Sequence, residues 1–325
     1  MVRLGTNLPE HLIGKDLGAF GEFLQGAEQL GYDYVTMGDH VLGADVSVRP
    51  DWAPYQGKPP LYGVETPWHE PLVMFGYMAA LTKKLELSTG ILVSPQRQSA
   101  LLAKQAAQVD ILTGGRIRFV ISAGWNDVEY EGMGVDYANR GKIMKEQIEV
   151  MRLLWTQEVV TYHGEFHTLN AVGINPLPSK PIPLWLGGTS KPVLRRIGQM
   201  GDGWFPYYPY FNPDTLAEDW GLIVETAKTA GRDPKSIGVE GAIYFEDTRF
   251  ELPEDRQRMP TTLEGCVERA QWWKTFGAST FTVSAPWANL APDQNAEGRA
   301  KRASSTVEKH LRALEEFKQA VGKDF

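Results

Sequence analysis

The stretch that decides the fold runs from Pro183 to Pro206 and reads PLWLGGTSKPVLRRIGQMGDGWFP. It combines a short buried strand, a glycine turn, an amphipathic helix and a second short strand. A strand that leads through Gly187-Gly188-Thr189-Ser190 into a helix directs backbone N–H groups and the positive end of the helix dipole at one spot. Such a spot suits a phosphate, whereas a simpler interpretation is a strand-to-helix turn with a serine N-cap. This stretch alone leaves both open.

Strand-like and helix-like segments also alternate along the rest of the chain. The first strands fall at 2–7 and 32–37, and the last strand and helix fall at 280–284 and 306–321. Counting eight β-then-α units favours a closed parallel (β/α)8 TIM barrel over an open doubly wound sheet. A Gly-x-Gly-x-x-Gly motif after the first strand is missing, which further disfavours the open sheet. We therefore predict an α/β chain with one barrel domain over residues 1–325.

Insertions interrupt this alternation after the second, fourth and seventh predicted strands. They cover about 41–70, 159–183 and 246–260, with a further polar stretch at 285–302. The second of these alternates like a hairpin. Because loops after the strands of a barrel lie on its catalytic face, the first insertion is predicted to wall a substrate pocket or form its lid. Its aromatic residues either line that pocket or merely pack the loop onto the barrel: Trp52, Tyr55, Tyr62 and Trp68.

Composition limits the possible partners and the compartment. A formal net charge of −7 argues against nucleic acid, since a phosphate backbone requires a basic face. One cysteine, Cys266, excludes an internal disulfide and fits a reducing compartment. The chain has no apolar run of membrane-spanning length, and it starts like a strand rather than a signal peptide. We expect a cytoplasmic protein without nucleic-acid or membrane partners, and a homodimer is the usual state for such barrels.

Two adjacent polar residues, Asp39 and His40, follow the second predicted strand. Polar residues at the end of a barrel strand lie near its mouth, and an Asp–His pair there can bind, orient or protonate a substrate near neutral pH. Neighbours on a strand face opposite ways, so we expect one of the two to face the pocket and the other to hold the loop. The alternative is a loop-capping aspartate beside an exposed histidine.

The third and fourth predicted strands suggest a site for a flat ligand. Gly90 lies inside a β-rich run, which marks a bulge or a close approach of the backbone to a ligand. The small residues at 122–124 leave room for a planar group, and Glu129 and Tyr130 beyond them offer hydrogen-bonding groups. Arg140 opens the next helix, where it pairs either with Glu129 or with a phosphate.

Three residues in the hairpin-like insertion have the spacing of a metal site. His163, Glu165 and His167 alternate, so on a strand they share one face. They lie well away from the glycine turn in the sequence. We expect a solvated hairpin face here and predict no metal site.

Taken together, these segments resemble the luciferase-like monooxygenase family, the flavin- and deazaflavin-dependent TIM-barrel oxidoreductases. The resemblance runs from about residue 2 to 206 and is weaker beyond. Each motif is weak alone, but their order and spacing are specific. They are Gly38-Asp39-His40, Thr89-Gly90-Ile91, Thr113-Gly114-Gly115-Arg116, Gly124 to Tyr130, Asn139-Arg140-Gly141, Leu153-Leu154-Trp155 and Gly187 to Pro206.

The resemblance implies roles for individual residues. Asp39 and His40 match a pair beside the reactive ring in the deazaflavin-using branch, where His40 is our candidate for stabilising charge or moving a proton. Gly90-Ile91 matches a peptide that many members hold cis, bulging toward the ring. The segment that matches the cofactor phosphate site is Gly187, Gly188, Thr189 and Ser190, and the positions that line the cofactor match Glu129, Tyr130, Arg140 and Gly141.

The resemblance also suggests a reaction. Some flavin-using members carry a ring-binding asparagine where this chain has Val120. We therefore predict hydride transfer between deazaflavin coenzyme F-420 and a small organic substrate. Trp52, Tyr55, Tyr62, Trp68, Tyr207, Tyr208 and Tyr210 suggest that this substrate is apolar or aromatic. The alternatives are a monooxygenase that uses reduced FMN and oxygen, and a non-catalytic flavin-binding protein.

Overall fold

The computed structural model describes residues 2–54, 60, 62–206, 212–243, 262–284, 296–322 and 325, with backbone alone at 296–306. Tyr55, three tyrosines of the predicted substrate set (Tyr207, Tyr208 and Tyr210) and the insertion at 246–260 lie outside these residues. Contacts along the chain divide it into two compact units. One consists of Met1–Met37, Leu81–Ser88 and Trp185–Phe325, and the other of Gly38–Ala80 and Thr89–Leu184.

The strands form the closed parallel barrel that the alternation predicted. Their hydrogen-bonded order is β3-β2-β1-β11-β10-β9-β8-β5-β4, and β3 also pairs with β5. Strands β3 and β4 are two parts of one interrupted barrel strand. The antiparallel pair β6–β7 is a separate hairpin. The strands are β1 (Arg3–Asn7), β2 (Tyr34–Met37), β3 (Glu86–Thr89), β4 (Leu92–Val93), β5 (Ile117–Ser122), β6 (Val160–His163), β7 (Thr168–Val172), β8 (Leu184–Gly187), β9 (Gly203–Phe205), β10 (Gly238–Ile243) and β11 (Thr280–Val283).

Helices follow the barrel strands, and several begin at side chains that accept from the first free N–H groups. Asp16 accepts from Ala19 N at the start of α2, and Asn126 accepts from Val128 N and Glu129 N at the start of α5. The helices are α1 (Glu10–Ile13), α2 (Leu17–Gln29), α3 (Pro71–Leu81), α4 (Ser99–Thr113), α5 (Asp127–Gly132), α6 (Arg140–Thr156), α7 (Lys191–Met200), α8 (Pro213–Thr229), α9 (Leu263–Phe276) and α10 (Ala296–Val321).

Two segments differ from the sequence prediction. The β-rich run around Gly90 is not one continuous strand but is interrupted at Gly90–Ile91, where the peptide bond is cis. The last helix starts at Ala296 rather than 306, so the predicted polar insertion at 285–302 is partly helical. Ala, Glu, Arg and Lys dominate residues 296–302 and favour a helix, although the polarity of this stretch also suits a loop. The hairpin within 159–183 is confirmed, whereas the single domain over 1–325 stays a prediction.

In the second unit, one apolar face of α6 packs into the core. Ile148, Met151, Leu154 and Trp155 of that face are buried. The Trp155 indole donates to the carbonyl of Ala103 on α4 at 2.9 Å, which satisfies its buried N–H. Helices α4 and α6 are therefore locked together by both packing and a hydrogen bond.

In the first unit, one tryptophan lies across two glycines of neighbouring strands. Gly203 of β9 pairs with Trp185 of β8 and with Gly238 of β10. A Cβ at Gly203 would come within 2.1 Å of the Trp185 ring, and one at Gly238 within 2.4 Å. Both glycines are needed because the indole occupies the space that a side chain would fill.

The substitution Gly203→Ala should lower the free energy of unfolding by about 1–3 kcal/mol, because it overpacks against a rigid ring. Gly221→Ala in α8 is the matched control, since a Cβ there meets nothing within 4 Å. An exposed helical Gly→Ala change is expected to be neutral or to stabilise by about 0.5–1 kcal/mol. Urea denaturation of both variants measures the difference. Equal unfolding midpoints would contradict the packing described for Trp185.

Candidate active site

The centre of the candidate site is His40, three residues beyond the end of β2. Its Nδ1 lies 3.1 Å from Oε2 of Glu129 on α5. The side chain of Glu129 is 1% exposed, and that of His40 is 15% exposed. A buried carboxylate therefore binds the imidazole through Nδ1, while part of the ring surface stays exposed to solvent.

Glu129 is held by several donors besides His40. Its Oε1 accepts from the backbone N–H groups of Val41 at 2.7 Å and Leu42 at 3.2 Å, and Gln96 donates to Oε2 at 3.4 Å. Burial acts to raise the pKa of Glu129, but the hydrogen bonds from His40, Leu42 and Gln96 outweigh it, so the pKa lies below its ordinary value. The side chain is therefore a carboxylate at neutral pH and acts as an acceptor.

An ionised Glu129 determines which nitrogen of neutral His40 carries the proton. A carboxylate only accepts, so Nδ1 of the imidazole must donate to it. The proton then sits on Nδ1, and Nε2 keeps its lone pair. Within the described part of the chain no hydrogen-bond partner of Nε2 is found. His40 thus presents a base that is aligned through its other nitrogen, the arrangement used by general-base histidines.

Aromatic rings surround this histidine. The ring of Tyr62 lies 4.1 Å from the imidazole, that of Trp68 4.7 Å and that of Trp125 5.7 Å, between ring centroids. Asn126 donates to the Tyr62 hydroxyl at 2.6 Å, and burial raises the pKa of Tyr62, so the phenol stays neutral. These rings cover part of the imidazole with an apolar surface.

Two of the four aromatic residues predicted to wall the substrate, Tyr62 and Trp68, thus lie beside His40. Trp52 is turned elsewhere, and its indole donates to Oδ1 of Asp127 at 2.8 Å. Trp125, which sequence reasoning did not assign to this group, completes the cluster. Its position directly after Gly124 was a signal, because that residue belongs to the strand end predicted to face a ligand.

Asp39, predicted as a catalytic residue together with His40, is engaged on both oxygens. Arg97 donates to Oδ1 and Oδ2, each at 2.8 Å, and the N–H of Val93 on β4 donates to Oδ2 at 2.9 Å. Arg97 also reaches Glu70 at 3.1 Å. This geometry ties the residue before His40 to the strand that follows the cis peptide. A catalytic role for Asp39 stays a prediction, and its contacts are those of a positioning residue.

The predicted cofactor-lining residues of the second unit occupy different surroundings. Gly90 and Ile91 are half-buried around the cis peptide. Tyr130 is fully buried, and its hydroxyl donates to the carbonyl of Ala123 at 2.6 Å. It thereby supports the backbone of the small-residue segment at 122–124, which is half-buried.

Arg140 has a partner that the sequence analysis did not consider. Its guanidinium donates to the Tyr137 carbonyl at 2.8 Å and lies 3.7 Å over the Tyr137 ring. The Tyr137 hydroxyl in turn donates to the carbonyl of Trp125 at 3.0 Å. Tyr137 therefore links the start of α6 to the aromatic cluster, and the neighbouring Gly141 is half-buried.

The glycine turn lies in the first unit. Gly187 ends β8, and Gly188 has φ +127° with its N–H donated to the carbonyl of Phe205 at 3.2 Å. The Trp204 indole donates to the Gly188 carbonyl at 2.9 Å. These bonds fix the turn, but they occupy the Gly188 N–H that we had assigned to a phosphate.

The start of α7 bears on the two interpretations of this turn. Ser190 is the N-cap residue by position, yet within the described residues its side chain accepts no capping hydrogen bond. Ser190 is exposed and Thr189 half-buried. The hydroxyl of Ser190 is therefore not engaged in the capping role of the simpler interpretation. A phosphate site formed by Thr189 and Ser190 stays a prediction.

The three hairpin residues with metal-like spacing contact different partners. Glu165 pairs with Lys142 at 3.3 Å, His163 is exposed, and His167 contacts Glu146 and Ser99. Across the described ranges, no group of three or more metal-ligating side chains converges. None of the helices in those ranges is both long and apolar enough to span a bilayer.

The pH dependence of stability tests the position of Glu129. Because its pKa is lowered from 4.5 in the folded chain, it stabilises the fold above that pH and loses this contribution as the pH falls below it. Glu129→Gln should therefore cost about 1–3 kcal/mol at neutral pH, and less in acid. Chemical denaturation across this range measures the difference.

Glu131→Gln is the matched control, since this residue of α5 is exposed and its carboxylate lies 3.9 Å from Arg49. It should change stability by less than about 0.5 kcal/mol. A cost for Glu129→Gln that is the same at every pH would contradict the assignment.

Comparison with known proteins identifies relatives of this chain. An uncharacterized protein of Mycobacterium tuberculosis is 34% identical over 179 residues, which is 54% of this chain and 61% of that protein. An FMNH2-dependent dimethylsulfone monooxygenase of Pseudomonas putida is 31% identical over 149 residues, 44% of this chain and 40% of that enzyme. The matches thus span less than two thirds of the length of these relatives.

The barrel also has solved counterparts. A secondary alcohol dehydrogenase dependent on coenzyme F-420, in complex with an F-420–acetone adduct, superposes with a TM-score of 0.73 at 19% identity. The superposition covers 99% of both chains, which shows a shared fold. The family model for luciferase-like monooxygenases matches residues 2–323. This chain belongs to the luciferase-like monooxygenase family.

Proposed function

We propose that this protein is an oxidoreductase that transfers a hydride between deazaflavin coenzyme F-420 and a small organic substrate, which is apolar or aromatic. The observation that carries the proposal is His40, whose Nδ1 is bound to buried Glu129 and whose ring is surrounded by Tyr62, Trp68 and Trp125. A fixed base in an apolar surrounding suits a proton transfer that accompanies hydride transfer.

The residues of the second unit fit a planar cofactor ring. The segment at 122–124 contains Ser, Ala and Gly and is half-buried, and the side chain of Val93 on β4 packs against Gly124. Gly90 and Ile91 are half-buried as well, and the cis peptide is the geometry that the family resemblance implied. We assign these residues to the ring, and a phosphate site at Thr189 and Ser190 of the first unit is a separate proposal that the family resemblance suggests.

The chain's own groups perform the proton chemistry in this proposal. A bound deazaflavin supplies the site that donates or accepts the hydride. Nε2 of His40 accepts the proton of a substrate hydroxyl as a carbonyl forms, or returns it in the reverse direction. Glu129 stabilises the imidazolium that results, because its carboxylate already lies 3.1 Å from Nδ1. The three aromatic rings leave only part of the imidazole open to solvent.

A monooxygenase reaction with reduced FMN is the second candidate. The relative in Pseudomonas putida is named as FMNH2-dependent, which favours this cofactor. Val120 at the position of a ring-binding asparagine in some flavin-using members argues for the deazaflavin. The solved neighbour with an F-420–acetone adduct points the same way. We therefore place F-420 first.

Binding and turnover assays separate these candidates. Titration of the protein with F-420 and with FMN, followed by absorbance, should give tighter binding of F-420. Turnover should then occur with F-420 and a panel of small alcohols and carbonyl compounds. Turnover with reduced FMN and oxygen alone would favour the monooxygenase. Binding without turnover across the panel would indicate a flavin-binding protein and contradict the proposal.

Substitution of His40 tests its role. His40→Asn should lower kcat by about 10²- to 10⁴-fold, the range for loss of a general base or acid, while cofactor affinity changes little. His163→Asn, an exposed histidine of the same unit, is the control and should leave kcat unchanged. Steady-state kinetics and cofactor titration of both variants measure this. A kcat for His40→Asn within about threefold of the parent would exclude proton transfer by His40.

We also propose that the protein forms a homodimer through the exposed face of α3 and the end of α4. Helix α3 reads PLVMFGYMAAL and is apolar on every face, yet Val73 is 70% exposed and Tyr77 37%. A helix that is apolar all round belongs in an interior. Leu112 of α4, which lies next to Gly76, is also 52% exposed. Because α3 carries no charge, two copies of an acidic chain can meet there without repulsion.

Val73→Asp should convert such a dimer to a monomer, because it buries an unpaired carboxylate in an apolar interface. Val159→Asp is the control, since Val159 is 62% exposed near the hairpin and away from α3 in the sequence. Sedimentation velocity of both variants and the parent measures the mass. A monomeric parent, or a Val73→Asp variant that stays dimeric, would overturn this proposal.

A further inference from the structure

A second cluster of reactive side chains lies in the second unit and shares no residue with the His40 site. The hydroxyl of Ser99 on α4 lies 2.6 Å from Nε2 of His167, and Nδ1 of the same ring lies 3.1 Å from Oε2 of Glu146 on α6. A hydroxyl, an imidazole and a carboxylate are thus hydrogen-bonded in series. This is the arrangement of a serine nucleophile, its base and the residue that orients the base.

Glu146 is fixed more firmly than an ordinary surface carboxylate. Besides His167 Nδ1 it accepts from three successive backbone N–H groups of the hairpin turn, those of Glu165, Phe166 and His167. Burial acts to raise the pKa of Glu146, but these hydrogen bonds and His167 outweigh it and lower the pKa. The ionised carboxylate accepts the hydrogen bond that Nδ1–H donates, so in the neutral ring Nε2 is left to accept from the Ser99 hydroxyl.

The position of Ser99 suits a nucleophile. It is the first residue of α4, and the first intrahelical bond of the helix runs from Leu102 N to Gln98 O at 2.9 Å. The N–H groups of Ala100 and Leu101 therefore have no acceptor within the helix. Such groups stabilise an oxyanion that forms beside the serine, and the helix dipole adds to this.

Access limits what can react there. Ser99 is 5% exposed, while Ala100 is exposed and Leu101 is 52% exposed. The hydroxyl thus lies just beneath the surface, with an apolar side chain next to it. We therefore consider only small acyl groups as substrates for this hydroxyl.

We propose that Ser99, His167 and Glu146 form a second reactive site, at which Ser99 is acylated by small activated esters. The Ser99 Oγ bonds to the ester carbonyl carbon as its proton passes to His167 Nε2. The leaving alkoxide departs with that proton, and an acyl-serine remains. Water, deprotonated by the same nitrogen, then releases the carboxylic acid and restores the hydroxyl.

A small fluorophosphonate is the probe, because it forms a stable Ser Oγ–phosphorus bond with loss of fluoride. Intact-protein and peptide mass spectrometry of the whole chain should show one adduct on Ser99. Ser99→Ala should abolish it, and His167→Gln should slow labelling by on the order of 100-fold. Ser47→Ala is the control, since the Ser47 hydroxyl contacts Asp45 and its removal should leave labelling unchanged.

Hydrolysis of 4-nitrophenyl acetate by the same variants should follow the same order. Circular dichroism of each variant establishes that it is folded before labelling. Labelling of Ser99 at the same rate in folded His167→Gln would overturn the proposal. So would the absence of an adduct on Ser99 in the parent protein, which would leave these three residues as an anchor of the hairpin.

Discussion

The buried carboxylate of Glu129 is the constraint on which the candidate site depends. It accepts from the imidazole of His40 and from the backbone N–H groups of Val41 and Leu42. A buried charge is tolerated only when it is hydrogen-bonded, so loss of any donor leaves an expensive group behind. The same bonds that stabilise the carboxylate therefore fix the loop after His40 and the tautomer of its ring. The hydrogen bond between Glu129 and His40 therefore serves both the fold of this loop and the proposed proton transfer.

An ion pair between Asp39 and Arg97 fixes the other side of this loop. Asp39 and Arg97 bind each other through two hydrogen bonds, and Asp39 also accepts from Val93 N beyond the cis peptide. His40 thus follows a residue anchored to β4 and precedes two residues anchored to α5. The aromatic ring of Tyr62 closes over it. A group that transfers a proton benefits from being fixed in this way, because its side chain does not have to be reoriented during the reaction.

The local sequence pattern predicted the barrel and several residues of the candidate site. Strand alternation, helix periodicity and strand-end polar residues can each be recognised from residues that are close together in the sequence. His40 was found this way. Glu129 as a cofactor-lining residue stays a prediction, and its contact with His40, between residues 89 positions apart, was not foreseen. Arg97 and Tyr137 were missed for the same reason, since their partners are set by tertiary packing. The helical start at Ala296 was missed because its polar composition resembles a loop.

The tautomer of His40 tests the central claim most directly. Selective ¹⁵N labelling of the six histidines, with His40→Asn for assignment, reports the protonation of each ring nitrogen by NMR. For the neutral ring of His40, the account predicts a protonated Nδ1 and a bare Nε2. A proton on Nε2 in the neutral ring would contradict it, because Nδ1 would then have no hydrogen to donate to Glu129.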